Sequence, residues 1–148
     1  MPVSEVSVVI PRPVSVVWDY IAKAENLSVW ETAVVDATQV TEGPIAVGTQ
    51  WRGASRFLGV GADWVGEFTG VEQNKGTAFK SIEGKIGFSN TTKLEEVDGG
   101  TQFTYRVDAE PGFGGIFGKL TDPIVSVAYT RALRASLQNL ADVLSADD

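Results

Sequence analysis

The polar residues that could do chemistry in this chain lie on segments that alternate like β-strands. The alternation places several of them on the same side as large aromatic residues: Ser55, Ser81, Glu83, Asn90 and Tyr105. Tyr129, on a C-terminal segment with helical spacing, can join them. Hydroxyl and amide groups facing an apolar cavity hold a ligand by hydrogen bonds, and a buried carboxylate can act as a base, as enolisation or cyclisation requires. These residues are candidates for ligand binding, and no catalytic residue is assigned among them.

The charged candidates have a simpler interpretation at the protein surface. Glu67 would face inward only if the side of its strand that carries Val65 is the inner one, and the sequence leaves open whether Val65 or Trp64 faces the interior. Because charged side chains are rarely fully buried, we expect Glu67 and Glu83 to be solvated. For the same reason we expect the arginines of the strands to form salt bridges on the outer face of the sheet: Arg52, Arg56 and Arg106.

The composition excludes several classes of chemistry. The chain has no histidine and no cysteine, which excludes Ser-His and Cys-His hydrolases, disulfides and thiolate metal sites. No Asp-rich loop is present for a carboxylate metal site, so we expect no metal and no cofactor. Twelve basic against nineteen acidic residues give a net charge of −7, which makes nucleic acid an unfavourable partner.

The elements that must position the candidate residues follow from periodicity and turn signals. A strand over residues 3–10 is followed by a helix from Pro13 to about Ala24 and a second short helix over residues 26–31, with Trp30 on its inner side. Six strands near 33–40, 49–58, 62–73, 77–83, 87–97 and 101–109 are separated by short turns, which predicts antiparallel hairpins. A helix of about 23 residues begins at Pro123, capped by Thr121 or Asp122, and carries an apolar stripe through Leu133 and Leu137.

This order predicts an α+β fold in which a curved antiparallel sheet of six to seven strands wraps around the long C-terminal helix, because no other element can cover the apolar face of the sheet. Such an arrangement leaves room for a mainly apolar pocket between sheet and helix. The chain is expected to form one domain over residues 1–148.

The chain resembles the SRPBCC or START-like superfamily, the helix-grip fold, and within it the polyketide cyclase/dehydrase group of small bacterial proteins. The resemblance is carried by Ile10-Pro-Arg-Pro-Val-Ser-Val-Val-Trp18, Trp30, Phe57-Leu-Gly59, Gly84-Lys-Ile-Gly-Phe88, Gly99-Gly-Thr-Gln-Phe-Thr-Tyr105, Pro111-Gly-Phe-Gly-Gly115 and the helix from Pro123 through Arg131 to Leu144. It implies a cavity for a hydrophobic small molecule, such as a lipid, a polyketide or an aromatic compound.

Ligand-binding residues are expected among the aromatic and polar side chains of the inner face, the loop before the last helix and that helix itself. The predicted set is Trp30, Trp51, Ser55, Phe57, Phe79, Ser81, Phe88, Asn90, Phe103, Tyr105, Phe113, Phe117, Tyr129 and Leu133. Phe113 and Phe117 lie in a glycine-rich loop, where they are expected to plug the core, with a mobile gate as the alternative.

Three functions remain open from the sequence. The first is a binding protein for a lipid-like or polyketide-like ligand, and the second is a cofactor-independent cyclase or dehydratase that uses a cavity Tyr or Glu. The third is a regulatory protein that binds another protein, as in a toxin–antitoxin pair. We expect a cytoplasmic monomer or homodimer without membrane insertion, because no targeting signal or membrane-length apolar run is present.

Overall fold

Seven strands and three helices follow one another in the predicted order within residues 3–57, 60–84, 87–109 and 123–146, which the computed structural model describes. Their bounds are β1 Val3–Ile10, α1 Val14–Ile21, α2 Ala24–Trp30, β2 Val34–Gln39, β3 Gln50–Phe57, β4 Val60–Glu72, β5 Gly76–Gly84, β6 Phe88–Val97, β7 Gly100–Ala109 and α3 Pro123–Ala146. The expected α+β helix-grip fold is confirmed.

The strands form one antiparallel sheet in the order β1-β7-β6-β5-β4-β3-β2. It curls into a half-barrel, and register shifts between Val34 and Asp36, Val65 and Gly66, and Phe68 and Gly70 mark irregular pairing in its β2–β5 half. Such bulges bend strands and increase their twist. The predicted hairpins therefore form, and their curvature places the β3–β6 aromatic residues around a common interior.

The inner face of β4, which the sequence left undecided, is the one that carries Trp64 and Phe68. Both side chains are buried, at 3% and 4% exposure, whereas Val65 and Glu67 are only half-buried. The inner face of this strand is therefore aromatic, and Glu67 lies on the other side.

Helix α3 begins at Pro123, as predicted, and runs for 24 residues to Ala146. Its predicted capping residues, Thr121 and Asp122, lie outside the described residues. Leu133, Leu137 and Leu140 are at most 1% exposed, and the helix packs against β1 and α2. No helix in the described part of the chain is long and apolar enough to cross a membrane.

The boundary between the first two helices differs from the prediction. Helix α1 ends at Ile21 rather than near Ala24, and α2 begins at Ala24 rather than at Asn26. Lys23, between them, has an extended backbone (φ −108°, ψ 124°). The extended backbone at Lys23 separates the two helices, and Ala24 at the start of α2 is buried at 1% exposure.

Candidate functional site

A cavity of about 80 Å³ lies between the inner face of the sheet, α2 and α3. Eight of the predicted binding residues line it: Trp30, Trp51, Ser55, Phe79, Phe88, Asn90, Tyr105 and Tyr129. Trp64 and Phe68 of β4 add two further aromatic walls. The inner strand faces thus converge on a mainly apolar interior space.

The aromatic walls are held by edge-to-face contacts between neighbouring rings. The centroids of Trp51 and Phe68 are 4.9 Å apart with planes at 85°, and those of Trp64 and Phe88 are 5.9 Å apart at 86°. Trp30 makes the same kind of contact with Tyr105, at 5.6 Å and 74°. This geometry is favourable for aromatic quadrupoles and fixes the rings at large angles to one another.

Two of the three cavity tryptophans have a hydrogen-bond acceptor for the indole N–H. Nε1 of Trp51 donates to Oε1 of Gln39 at 3.0 Å, and Nε1 of Trp64 donates to Oγ of Ser55 at 2.9 Å. Nε1 of Trp30 is buried and has no acceptor among the described residues. Because leaving a buried donor without an acceptor costs free energy, the indole N–H of Trp30 is an unusual feature of the cavity wall.

Glu31, which sequence analysis did not select, is the acidic side chain of the cavity. It lines the cavity and is only 5% exposed. Its Oε1 accepts a hydrogen bond from the backbone N–H of Ala33 at 3.1 Å and from the hydroxyl of Ser136 at 3.4 Å. Burial raises the pKa of Glu31, and these two hydrogen bonds oppose the shift.

Two tyrosines share the electrostatic environment of Glu31. Burial raises the pKa of Tyr105 well above its ordinary value, and electrostatic interactions with Glu31 and with Tyr129 raise it further. Burial and then the charge of Glu31 raise the pKa of Tyr129 in the same direction. Both hydroxyls therefore stay protonated, so that the cavity has a polar corner made of one carboxyl group and two phenol groups.

Ser136 connects this polar corner to helix α3. Its hydroxyl oxygen accepts a hydrogen bond from the backbone N–H of Thr32 at 2.9 Å, and its single proton is shared between the carbonyl of Ala132 at 3.0 Å and Oε1 of Glu31 at 3.4 Å. Ser136 is fully buried. The segment after α2 is thus tied to the middle of α3 at the place where Glu31 enters the cavity.

The remaining predicted binding residues either do not line the cavity or lie outside the residues that the structure describes. The hydroxyl of Ser81 accepts a hydrogen bond from the backbone N–H of Phe88 at 3.0 Å. Phe103 is fully buried against Trp30, with ring centroids 5.9 Å apart. Leu133 belongs to the packed core. The side chains of Phe57, Phe113 and Phe117 lie outside the described residues.

The charged candidates are not part of the cavity. Glu83 is exposed and Glu67 is half-buried. Arg106 pairs with Asp108 at 3.2 Å on the surface, as expected, whereas Arg52 and Arg56 form no salt bridge with the described residues. Within the described ranges, no group of three or more acidic residues could hold a metal ion.

Helical periodicity could not have revealed Glu31, because the helix ends one residue before it. Trp30 is the last residue of α2, and Glu31 has an extended backbone (φ −88°, ψ 107°). At such a junction two consecutive side chains can both face inward, and both are buried here. The one available signal was the position of an acidic residue directly beside an inward-facing tryptophan.

A curled antiparallel sheet, a long C-terminal helix and an aromatic cavity between them define the helix-grip class of proteins. The chain belongs to the family described as polyketide cyclase / dehydrase and lipid transport, whose model matches residues 1–145. No protein of curated function matches the chain in sequence.

Solved structures share this fold at low sequence identity. TTHA0849 from Thermus thermophilus is 22% identical with a TM-score of 0.81, and the match covers 99% of this chain and 100% of that one. The ZhuI aromatase/cyclase from Streptomyces sp. R1128 is 17% identical with a TM-score of 0.75, covering 97% and 93%. NE0264 from Nitrosomonas europaea is 14% identical with a TM-score of 0.73, covering 98% and 95%.

Proposed function

We propose that the chain binds a hydrophobic small molecule, aromatic-like, polyketide-like or lipid-like, in the cavity between the sheet and α3. The observation that carries the proposal is a buried space walled by Trp51, Trp64, Phe68, Phe79 and Phe88, with fewer polar than apolar side chains along its lining. Ligand sites in proteins have this composition: apolar walls and a few polar groups that fix orientation. The family description and the aromatase/cyclase among the structural neighbours support the same class of ligand.

The volume of the cavity sets an order among these ligands. A cavity of roughly 150 Å³ accommodates benzene in another protein, and the present one measures about 80 Å³. A single small ring therefore requires only modest movement of the walls, whereas a long acyl chain or a fused polycycle requires a large one. We expect affinity for small rings to exceed affinity for long chains.

Thermal unfolding with a graded set of compounds tests the proposal. Cyclohexanol, benzyl alcohol, naringenin and decanoate are compared, with the polyanion ATP as a control that a protein with a net charge of −7 should repel. A ligand at about 100 times its Kd adds roughly 2.7 kcal/mol to the free energy of unfolding. Stabilisation by ATP alone would contradict the proposal, and native mass spectrometry of the purified protein would show any ligand that is retained.

A second candidate function, cofactor-independent acid–base catalysis, is favoured by the position of Glu31. A carboxyl group whose pKa is raised by burial lies in the same cavity as the Tyr105 and Tyr129 hydroxyls. The ionised carboxylate would remove a proton from the carbon next to a ligand carbonyl, and a tyrosine hydroxyl would donate a hydrogen bond to the resulting enolate oxygen. Transfer of the proton from the Glu31 carboxyl group to the enolate oxygen completes an enolisation, and its transfer to a β-hydroxyl group that leaves as water completes a dehydration.

Deuterium exchange into cyclohexanone separates this candidate from simple binding. In D₂O, acid–base catalysis predicts protein-dependent loss of the α-proton NMR signals, slowed by about 10²–10⁴-fold in Glu31→Gln. The exposed Glu25 on α2 provides the matched control, because Glu25→Gln makes the same change in net charge. Exchange no faster than in buffer, with cyclohexanone shown to bind, would rule out the catalytic function and leave a binding protein.

A further inference from the structure

The cavity contains a single acidic side chain and no basic one among the described residues. Glu31, Tyr105 and Tyr129 are the titratable side chains that line it. Two ion pairs within the described ranges, Lys93–Glu95 and Arg106–Asp108, both lie at the surface. The buried carboxyl group of Glu31 is therefore not neutralised by a cation of the described part of the chain.

One oxygen of this carboxyl group is left without a hydrogen-bond donor. The N–H of Ala33 and the hydroxyl of Ser136 both donate to Oε1, while Oε2 accepts no hydrogen bond from the part of the chain that the structure describes. Glu31 faces the cavity. A donor or a positive charge on a ligand would therefore meet an acceptor with unused capacity.

The walls around this carboxyl group are also suited to positive charge. Three tryptophans and two tyrosines line the cavity, and edge-to-face packing sets Trp30 against Tyr105 at 74° and Trp64 against Phe88 at 86°. Aromatic faces attract organic cations, most strongly where water is excluded, and cages of such rings recognise quaternary ammonium groups.

We propose that the ligand of this cavity is a small organic cation, an amine or quaternary ammonium with a compact apolar body, whose charge pairs with Oε2 of Glu31. The proposal rests on the proposed function, because it names the chemical class that the apolar cavity selects. An ammonium group beside Glu31 compensates the buried carboxylate and favours its ionised form. The overall charge of −7 adds a long-range attraction for cations and a repulsion for fatty acids and other anions.

Three probes of nearly the same shape separate charge from apolar burial. They are tert-butylammonium, tert-butanol and pivalate, which share one tert-butyl group and are cationic, neutral and anionic at neutral pH. Binding is followed by titration of the tryptophan indole ¹H–¹⁵N signals. We expect the Kd of the ammonium to be at least about tenfold lower than that of the alcohol, because only the ammonium forms a charge pair with Glu31. Pivalate should bind most weakly.

The variant Glu31→Gln keeps the acceptor for Ala33 and Ser136 but removes the charge. It should lose the preference for the ammonium over the alcohol while binding tert-butanol as the wild type does. Glu25→Gln, on the exposed side of α2, changes the net charge equally and should keep the preference. If Glu31→Gln does not fold, the three probes on the wild type still overturn the proposal when the alcohol binds as tightly as the ammonium.

Three results would count against the proposal. If tert-butanol binds the wild type as tightly as tert-butylammonium, the cavity selects apolar shape alone, and the proposed function stands without the cation. If the preference persists in Glu31→Gln, the charge that attracts the cation lies elsewhere. Failure of all three probes to bind would count against both the cation and the proposed cavity function.

Discussion

The interior of this molecule has two regions built from different side chains. Around the middle and C-terminal parts of α3, Leu137 and Leu140 are buried together with Ile10 and Val17, none of them more than 1% exposed, and none lines the cavity. Around strands β3–β6, aromatic rings surround a cavity of about 80 Å³ and meet a buried carboxyl group. The cavity lies among the aromatic residues and not against these aliphatic ones, which supports a division in which the first region stabilises the fold and the second binds the proposed ligand.

The largest expected effect comes from opening the aliphatic region. Leu137→Ala should lower the free energy of unfolding by about 2–5 kcal/mol, because truncating a fully buried leucine both removes buried apolar surface and leaves a new cavity. Urea denaturation measures this change. A loss below about 1 kcal/mol would mean that this side chain is not part of a filled core.

The aromatic region can be disturbed by adding a single methyl group. A Cβ at Gly66 would overlap the ring of Phe79, whereas a Cβ at Gly70 would lie at an ordinary 3.5 Å from Cβ of Ala78. Gly66→Ala should therefore cost about 1–3 kcal/mol and weaken ligand binding by displacing Phe79, and Gly70→Ala on the same strand should do neither. Equal effects of the two variants, by urea denaturation and ligand titration, would show that Phe79 does not form a fixed wall.

Removing the charge of Glu31 from the polar corner should have a smaller effect on stability, and at neutral pH it should stabilise the protein rather than destabilise it. Because burial raises the pKa of Glu31, its contribution to stability is complete below the ordinary glutamate pKa and is lost as pH rises through the raised value. Glu31→Gln has no charge to bury and should melt higher than the wild type at neutral pH. Each kcal/mol corresponds to about 2–4 °C in a chain of this size.

The pH dependence of this difference distinguishes charge burial from a general packing effect. The advantage of Glu31→Gln should shrink as the pH is lowered toward about 4, where the wild-type carboxyl group is also neutral. Glu25→Gln should show no such trend. An advantage that is the same in acid as at neutral pH would contradict the assignment of a buried, ionisable Glu31.

The smallest effect is expected at the start of α3. Pro123 is the first residue of the helix, where no backbone donor is needed and proline is favoured. Pro123→Ala should leave the fold intact and change the free energy of unfolding by less than about 1 kcal/mol. Loss of helical circular dichroism in this variant would show that the proline does more than begin the helix.

Periodicity predicted the fold because each element carries a repeating pattern of its own. The alternation of Phe88 and Asn90 and the helical recurrence of Leu133 and Leu137 are visible without the structure, and the turn residues separate the strands. The parity of the strands also brought Trp51, Ser55 and Tyr105 to one side, and all three line the cavity.

The polar corner depends on contacts that no local pattern contains. Glu31 follows a helix end, and its partner Ser136 is 105 residues away in the chain. The inner face of β4 was ambiguous because Trp64 and Val65 are both apolar, and the register that decides between them is set by pairing with β3 and β5. The periodicity of a strand or a helix does not predict which way residues at such junctions and bulges face.

The four tryptophans allow a direct test of the claim that the aromatic region is a ligand-binding cavity. Trp30, Trp51 and Trp64 line the cavity, and Trp18, equally buried on α1, does not. Titration of benzene into ¹⁵N-labelled protein, followed through the indole N–H signals, should shift the first three signals saturably and leave that of Trp18 in place. Signals that do not move, or a Trp18 signal that moves as much as the others, would contradict the account.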